Sequence, residues 1–232
     1  MAGSSGDPSV PISLDRVSVR FDERPVLHDI SLQLSAPTVA VIGANGSGKS
    51  TFARLLNGLV APTSGSVSVH GFDTVRDRAA VRKGVGFVFT NPDAQILMPT
   101  PAEDLGLSLR GHPRAEIGQR VRDALDAHGL GEHADAPASS LSGGQKQMLA
   151  LASVLIASPR LIVADEPTTL LDLRNARRVG DLLLAQEAQV VVVTHDLELA
   201  GRCAAAVLFE DGRVAAQGEP SSVIAAYRRS CA

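Results

Sequence analysis

Hydrophobic and polar residues alternate through "ISLDRVSVRF" (12–21) and again through "VLHDISLQL" (26–34), which predicts two paired β-strands, each with one buried face. "GSVSVHG" (65–71) alternates in the same way. Elsewhere the alternation gives way to short unbroken apolar runs: "TVAVIG" (38–43), "VGFVF" (85–89), "RLIVAD" (160–165) and "QVVVVT" (189–194). Runs of this kind suit parallel strands covered on both faces. "AAVLFEDGRV" (205–214) predicts one further strand.

The period changes between 91 and 157. Helical patterns broken by proline and glycine dominate there, most clearly in "AEIGQRVRDALDAHGL" (115–130), and "MLALASVLIAS" (148–158) suits a buried helix. Helical spacing also appears in "SGKSTFARLLNGL", after the strand at 38–43, and in "RNARRVGDLLLAQE", between the strands at 160–165 and 189–194. Strand-rich sequence therefore encloses a helical insert. The expectation is an α/β fold with an antiparallel β edge, formed as one domain over 11–232. Its core would be 11–89 and 158–232, with a helical subdomain at about 90–157. The Ser/Gly/Pro-rich start reads as a loose arm over 1–10.

Composition changes this picture little. Of 232 residues 44% are hydrophobic but only 3% aromatic, so aliphatic packing must form the core. A net charge of −3, with scattered basic residues, points to a solvated surface and to no nucleic-acid partner. No apolar run approaches the roughly 18 residues of a membrane span, and the start lacks the pattern of a secretory signal. Two distant cysteines, Cys203 and Cys231, read as free thiols of a reducing, cytoplasmic compartment.

"GANGSGKS" (Gly43 to Ser50) fits G-x-x-x-x-G-K-[ST] between a strand and a helix. Glycines let backbone N–H groups wrap phosphate oxygens, and the helix N-terminus adds positive potential. Lys49 can reach terminal phosphates and the Ser50 hydroxyl can hold Mg²⁺. A nicotinamide-type loop fits worse, because no third glycine stands at the required spacing.

"LIVADEP" (161–167) puts Asp165 at a strand's C-terminal end, where it can help hold the metal, while Glu166 can polarise a water against the γ-phosphate. His195 follows another strand, where a lone histidine is ordinarily structural. The remaining histidines (His28, His70, His112, His128 and His133) show no ligand spacing and read as surface residues. "LSGGQ" (Leu141, Ser142, Gly143, Gly144, Gln145) opens a second glycine-rich helix, almost a hundred residues after the first and separated from it by the helical insert.

Together these ordered motifs resemble the ATP-binding subunits of ABC transporters over roughly 12–220. The resemblance implies an ATP hydrolase coupled to transmembrane transport, using ATP and Mg²⁺ and working as a head-to-tail dimer. Gly43, Ala44, Asn45, Gly46, Ser47, Gly48, Lys49, Ser50 and Thr51 would hold one subunit's nucleotide, and the partner's Leu141–Gln145 element would close on it. By the same resemblance Asp165 is the metal-associated aspartate and Glu166 the catalytic glutamate. His195 is the switch histidine that senses the γ-phosphate, which replaces its structural reading. Phe21 would stack on adenine, and Asp172 in "TTLLD" (168–172) would lie on a loop crossing the dimer interface.

"FVFTNPDAQILMPTPAEDLGLSLR" (87–110) is similar to the energy-coupling-factor importers of vitamins and metal ions. The run into 38–43 and the short tail after "GEPSSVI" look most like the biotin importers within that group, with cobalt, nickel or another vitamin as alternatives. The resemblance implies a second ATPase subunit (a copy or a paralogue), a transmembrane coupling subunit and a substrate-binding membrane subunit. It also implies a peripheral place on the cytoplasmic face of the membrane. Gln95, Glu103 and Asp104 fall where the coupling subunit would dock. Thr90 stands where the family usually has glutamine; being shorter, it would reach the metal only through a bridging water. The rivals from other classes are a soluble, non-transport ABC ATPase of DNA repair, translation or iron–sulfur assembly, and a non-catalytic structural partner. Against the DNA-repair and translation forms stand the absence of a coiled-coil pattern and the single nucleotide motif.

Overall fold

The structure, a computed structural model, describes residues 10–231; residues 1–9 of the predicted arm lie outside the described residues. Two strands, β1 (Ile12–Phe21) and β2 (Arg24–Leu34), pair antiparallel as their alternation predicts. The unbroken apolar run that follows becomes β3 (Thr38–Ile42) and feeds α1 (Lys49–Leu56). Next come β4 (Ser64–Val69), β5 (Phe72–Asp73), α2 (Arg78–Gly84) and β6 (Val85–Val88). The helical stretch holds α3 (Pro101–Ser108), α4 (Arg114–Ala127) and α5 (Gly143–Leu155). The chain then alternates through β7 (Leu161–Asp165), α6 (Leu173–Leu184), β8 (Gln189–Val193) and α7 (Leu197–Gly201). It finishes with β9 (Ala205–Glu210), β10 (Arg213–Gly218) and α8 (Pro220–Ser230).

One sheet is antiparallel with strand order β2-β1-β4-β5; the other has order β10-β9-β3-β8-β7-β6. All neighbours in the second sheet are parallel except the β9–β10 pair. The interior positions of β3, β7 and β8 are all apolar because both faces of the sheet are covered there. Ala40, Ile42, Ile162, Ala164, Val190 and Val192 enter one core with residues of α3–α8. Their alternates Val39, Val41, Leu161, Val163, Val191 and Val193 enter a second core with α1 and the antiparallel sheet. The two-residue side-chain period of a strand thus divides each run between two layers.

Residues 205–214, read as one strand, form a hairpin instead. Asp211 and Gly212, both at positive φ (46° and 72°), turn β9 back into β10. Asp-Gly is the dipeptide that such a tight turn favours. His70, read as a surface residue, is 4% exposed and hydrogen-bonds Gln189 Oε1 through Nε2 at 2.9 Å. Its neighbour on the next layer supplies the polar partner that burial requires.

Candidate functional site

The loop from β3 to α1 is shaped by close approach. A Cβ on Gly43 would sit 2.1 Å from the Phe209 carbonyl oxygen, and its φ of +145° lies where side chains are rarely tolerated. Lys49 is 5% exposed, and its ammonium donates to the carbonyls of Gly43 and Ala44, each at 2.8 Å. The charge is therefore held across the loop mouth. Burial lowers the Lys49 pKa from the usual lysine value, opposed by the carboxylates of Glu166 and Asp165. Ser47 Oγ is buried in the same loop with no hydrogen-bond partner among the described residues, which leaves a donor for a ligand oxygen.

Three strand ends bring the rest together. Ser50, in the first turn of α1, donates to Asp165 Oδ1 at 2.8 Å across the sheet. Burial raises the Asp165 pKa above the ordinary carboxylate range, and this hydrogen bond works against that rise. A hydroxyl and a carboxylate are hard oxygen donors suited to Mg²⁺, which commonly takes one or two protein oxygens and completes its shell with phosphates and water. Among the described residues no group of three His, Cys, Asp or Glu side chains could hold a metal alone, so this pair with a bound triphosphate is the fitting arrangement.

Glu166 adopts φ 53°, a sparsely populated conformation for a side-chain-bearing residue, while its N–H donates to the Val193 carbonyl at 2.9 Å. That turn presents its carboxylate to two donors: His195 Nδ1 at 2.8 Å and Thr169 Oγ1 at 2.9 Å. A cavity of about 420 Å³ is walled by Gly43, Ala44, Asn45, Glu166, Thr169, His195 and Tyr227. It unites the phosphate loop, the acid and the histidine. Thr169 comes from the 168–172 stretch, of which only Asp172 had been singled out, and Tyr227 carries no motif signal that would have selected it.

The other predicted site residues lie outside that wall. Phe21 ends β1 and is 49% exposed, an aromatic face open to a partner ring. Ser142 caps α5 by accepting from the Gln145 N–H, and its own N–H donates to Gln145 Oε1, a reciprocal capping box. A Cβ on Gly144 would press on the Asn175 side chain, which donates to Asp172 Oδ2 at 2.9 Å. Gly144 thus adjoins the Asp172 loop through Asn175. Asp172 also accepts from the Asn175 N–H, and these bonds hold its pKa below the usual carboxylate value.

The residues that the resemblance places at the docking surface divide. Glu103 is exposed and pairs with Thr100 at the start of α3. Asp104 is 4% exposed and accepts from Leu97 N–H (2.8 Å), Met98 N–H (3.1 Å) and Ser153 Oγ (2.8 Å), so its carboxylate faces inward, away from any docking partner. Gln95 is likewise committed within the chain, accepting from Phe89 N–H and donating to the Ala150 carbonyl. Thr90 donates its hydroxyl to the Asp165 main-chain carbonyl at 2.8 Å. The 90–95 loop therefore joins the strand carrying Asp165 to the helix opened by Ser142.

Nucleotide-loop geometry on a doubly covered sheet, joined to a second glycine-rich helix start, defines an ATP-binding cassette. The chain belongs to the ABC transporter family, whose model matches residues 27–169. It is an ATP-binding transporter subunit with ATPase activity of the ABC type. Over 95% of its length it is 41% identical to the biotin transport ATP-binding protein BioM of Rhizobium etli, covering 99% of that protein. CbiO1 of Clostridium perfringens, part of the ABC transporter complex cbiONQ, superposes with a TM-score of 0.82 at 29% identity, over 92% of this chain and 90% of that one. A dimeric post-hydrolysis structure of the ATP-binding cassette MJ0796, bound to ADP and Pi, gives a TM-score of 0.79 at 29% identity over 90% and 98% of the two chains. Among the described residues no helix is long and apolar enough to cross a membrane.

Proposed function

We propose that this chain is the ATP-hydrolysing subunit of an energy-coupling-factor type importer, with biotin as the favoured cargo. The single observation that carries the hydrolytic part is the Glu166–His195 pair at 2.8 Å in the wall of the phosphate-loop cavity. A carboxylate fixed by two donors beside the phosphates can take a proton from an attacking water. His195, 58% exposed at its side chain, orients that carboxylate and meets the terminal phosphate. Lys49 and the loop N–H groups stabilise charge on the phosphates; Ser50 and Asp165 would hold Mg²⁺, which when bound neutralises part of that charge. Phe21 stacks on the base.

Ser142, Gly143 and Gly144 lie outside their own chain's cavity, and supply the phosphate-facing helix start of a second subunit's site. ATP then bridges two chains with Asp172 at the crossing, and loss of the bridging phosphate reopens them. The 90–95 loop, tied to Asp165 and to α5, carries that change toward a transmembrane coupling subunit. Glu103, exposed at the start of α3, is the side chain that meets it. The cytoplasmic face is the corresponding location, and the similarity to BioM supports biotin.

The test is reconstitution of the full chain with a transmembrane coupling subunit and a substrate-binding subunit, followed by uptake of labelled biotin, cobalt and nickel. Biotin uptake that depends on ATP is expected. Glu166→Gln should keep ATP binding, trap an ATP-dependent dimer and lose about 10²–10⁴-fold in turnover. Metal uptake without biotin uptake would reassign the cargo, and near-normal turnover by E166Q would remove Glu166 from its role.

A further inference from the structure

The cavity wall contains one side chain that none of the nucleotide motifs supplies. Tyr227, the only tyrosine in the chain, reaches the wall from α8, alongside Gly43, Ala44, Asn45, Glu166 and His195. The cap and the packed face of α8 fix its position. α8 starts with Pro220 after Glu219, whose carboxylate accepts from the Ser222 N–H at 3.1 Å and caps the first turn. Val223 (2% exposed) and Ile224 (8%) then bury one face in the core beneath. Tyr227 follows them at i+4 and i+3, so the same stripe that anchors the helix carries the ring to the cavity. The ring packs on the core while its rim remains accessible, the disposition in which tyrosine combines apolar burial with a polar tip.

The phenol is suited to donating. Burial, and then the neighbouring Cys231, hold its pKa above the usual tyrosine value, so the hydroxyl keeps its proton through the neutral range. Cys231 is its polar side-chain neighbour, and a thiol is a weak acceptor. A phosphate oxygen is a far stronger one. The surrounding wall, with Glu166 and His195 opposite the 43–45 loop, is the part of the site assigned above to the terminal phosphate.

We propose that Tyr227 is a further nucleotide-contact residue whose hydroxyl donates to the terminal phosphate, so that the C-terminal helix distinguishes triphosphate from diphosphate. This rests on the nucleotide-site reading given above. The contact adds to the loop and histidine contacts and gives α8 a direct stake in the nucleotide state.

The experiment compares Tyr227→Phe and Tyr227→Ala with the wild-type full chain, using the β,γ-imido analogue of ATP and ADP as probes, each with Mg²⁺. Tyr227→Phe removes only the hydroxyl and should weaken the imido triphosphate about tenfold while ADP stays within about twofold, the scale of one hydrogen bond to a charged group. Wild-type affinity of Y227F for both nucleotides would overturn the proposal, as would an equal loss for both. Y227A weakening both nucleotides equally, beside an unaffected Y227F, would mark the ring as packing only. ATP turnover by E166Q, measured in parallel, reports on the underlying site: its failure to drop would reject that reading independently of the binding ratio.

Discussion

Removing the Asp104 carboxylate separates a structural role from a docking role. It accepts two main-chain N–H groups, from Leu97 and Met98, and one hydroxyl, from Ser153, while only 4% exposed. Each bond to a charged acceptor contributes about 1.5–3 kcal/mol, and part of the sum offsets the cost of burying the carboxylate itself. In Asp104→Ala the two N–H groups lose their acceptor, so a net loss of about 3 kcal/mol is expected. For a chain of this size that is a fall in Tm of about 6–12 °C. Asp104→Asn keeps one acceptor oxygen and turns an N–H₂ toward Ser153 Oγ, whose lone pairs can receive it, so about 1 kcal/mol should be lost. Urea unfolding of the full chain measures both, with co-purification of the membrane subunits scored on the same preparations. D104A within about 0.5 kcal/mol of wild type, the range of an ordinary surface substitution, together with loss of co-purification, would refute the reasoning and restore the docking role.

Three other outcomes follow from the same geometry. Ser142→Arg should leave ATP binding to the isolated chain intact and block hydrolysis in the dimer; in a mixed dimer the defect should fall on the unmutated chain's nucleotide, read by trapping labelled nucleotide on each chain. Buried Cys203, whose thiol burial pushes up to about 11, should resist alkylation at pH 8 while exposed Cys231 reacts, giving one labelled site before denaturation and two after, by mass spectrometry. Gly43→Ala should abolish ATP binding because its Cβ would overlap the Phe209 carbonyl, and a binding isotherm close to wild type would contradict the close approach.

The layers and the nucleotide loop were legible because they are written in neighbouring residues. Period-two alternation marked β1 and β2, and unbroken apolar runs marked β3, β7 and β8. The glycine spacing before Lys49 marked the loop itself. What escaped depends on contacts between distant positions. Asp104 looks like an ordinary acidic helix start until Ser153 and the 97–98 backbone are placed around it. His70 reads as a surface residue until Gln189 arrives from another layer. Tyr227 has no spacing relation to the loop it faces, so only the packing of α8 could bring it there. The hairpin at Asp211–Gly212 is a different kind of miss, since its turn dipeptide was present and the apolar run on each side concealed it.

The central place of β3 has a consequence for the order in which the molecule comes into being. Its sheet neighbours are β8 and β9, with Thr38 opposite Val190 and Val39 opposite Ala205. The strand that launches the phosphate loop is synthesised early, yet both edges it must pair with emerge late. Ser50 likewise waits for Asp165. Closing such long loops costs entropy before any contact is made, and topologies of this kind fold slowly. A nascent chain would therefore carry an apolar strand without partners through most of its synthesis, a stretch in need of shelter from aggregation. Nucleotide binding would begin only once β8 and β9 had closed around β3, which makes ATP affinity a marker for completed folding of the whole sheet.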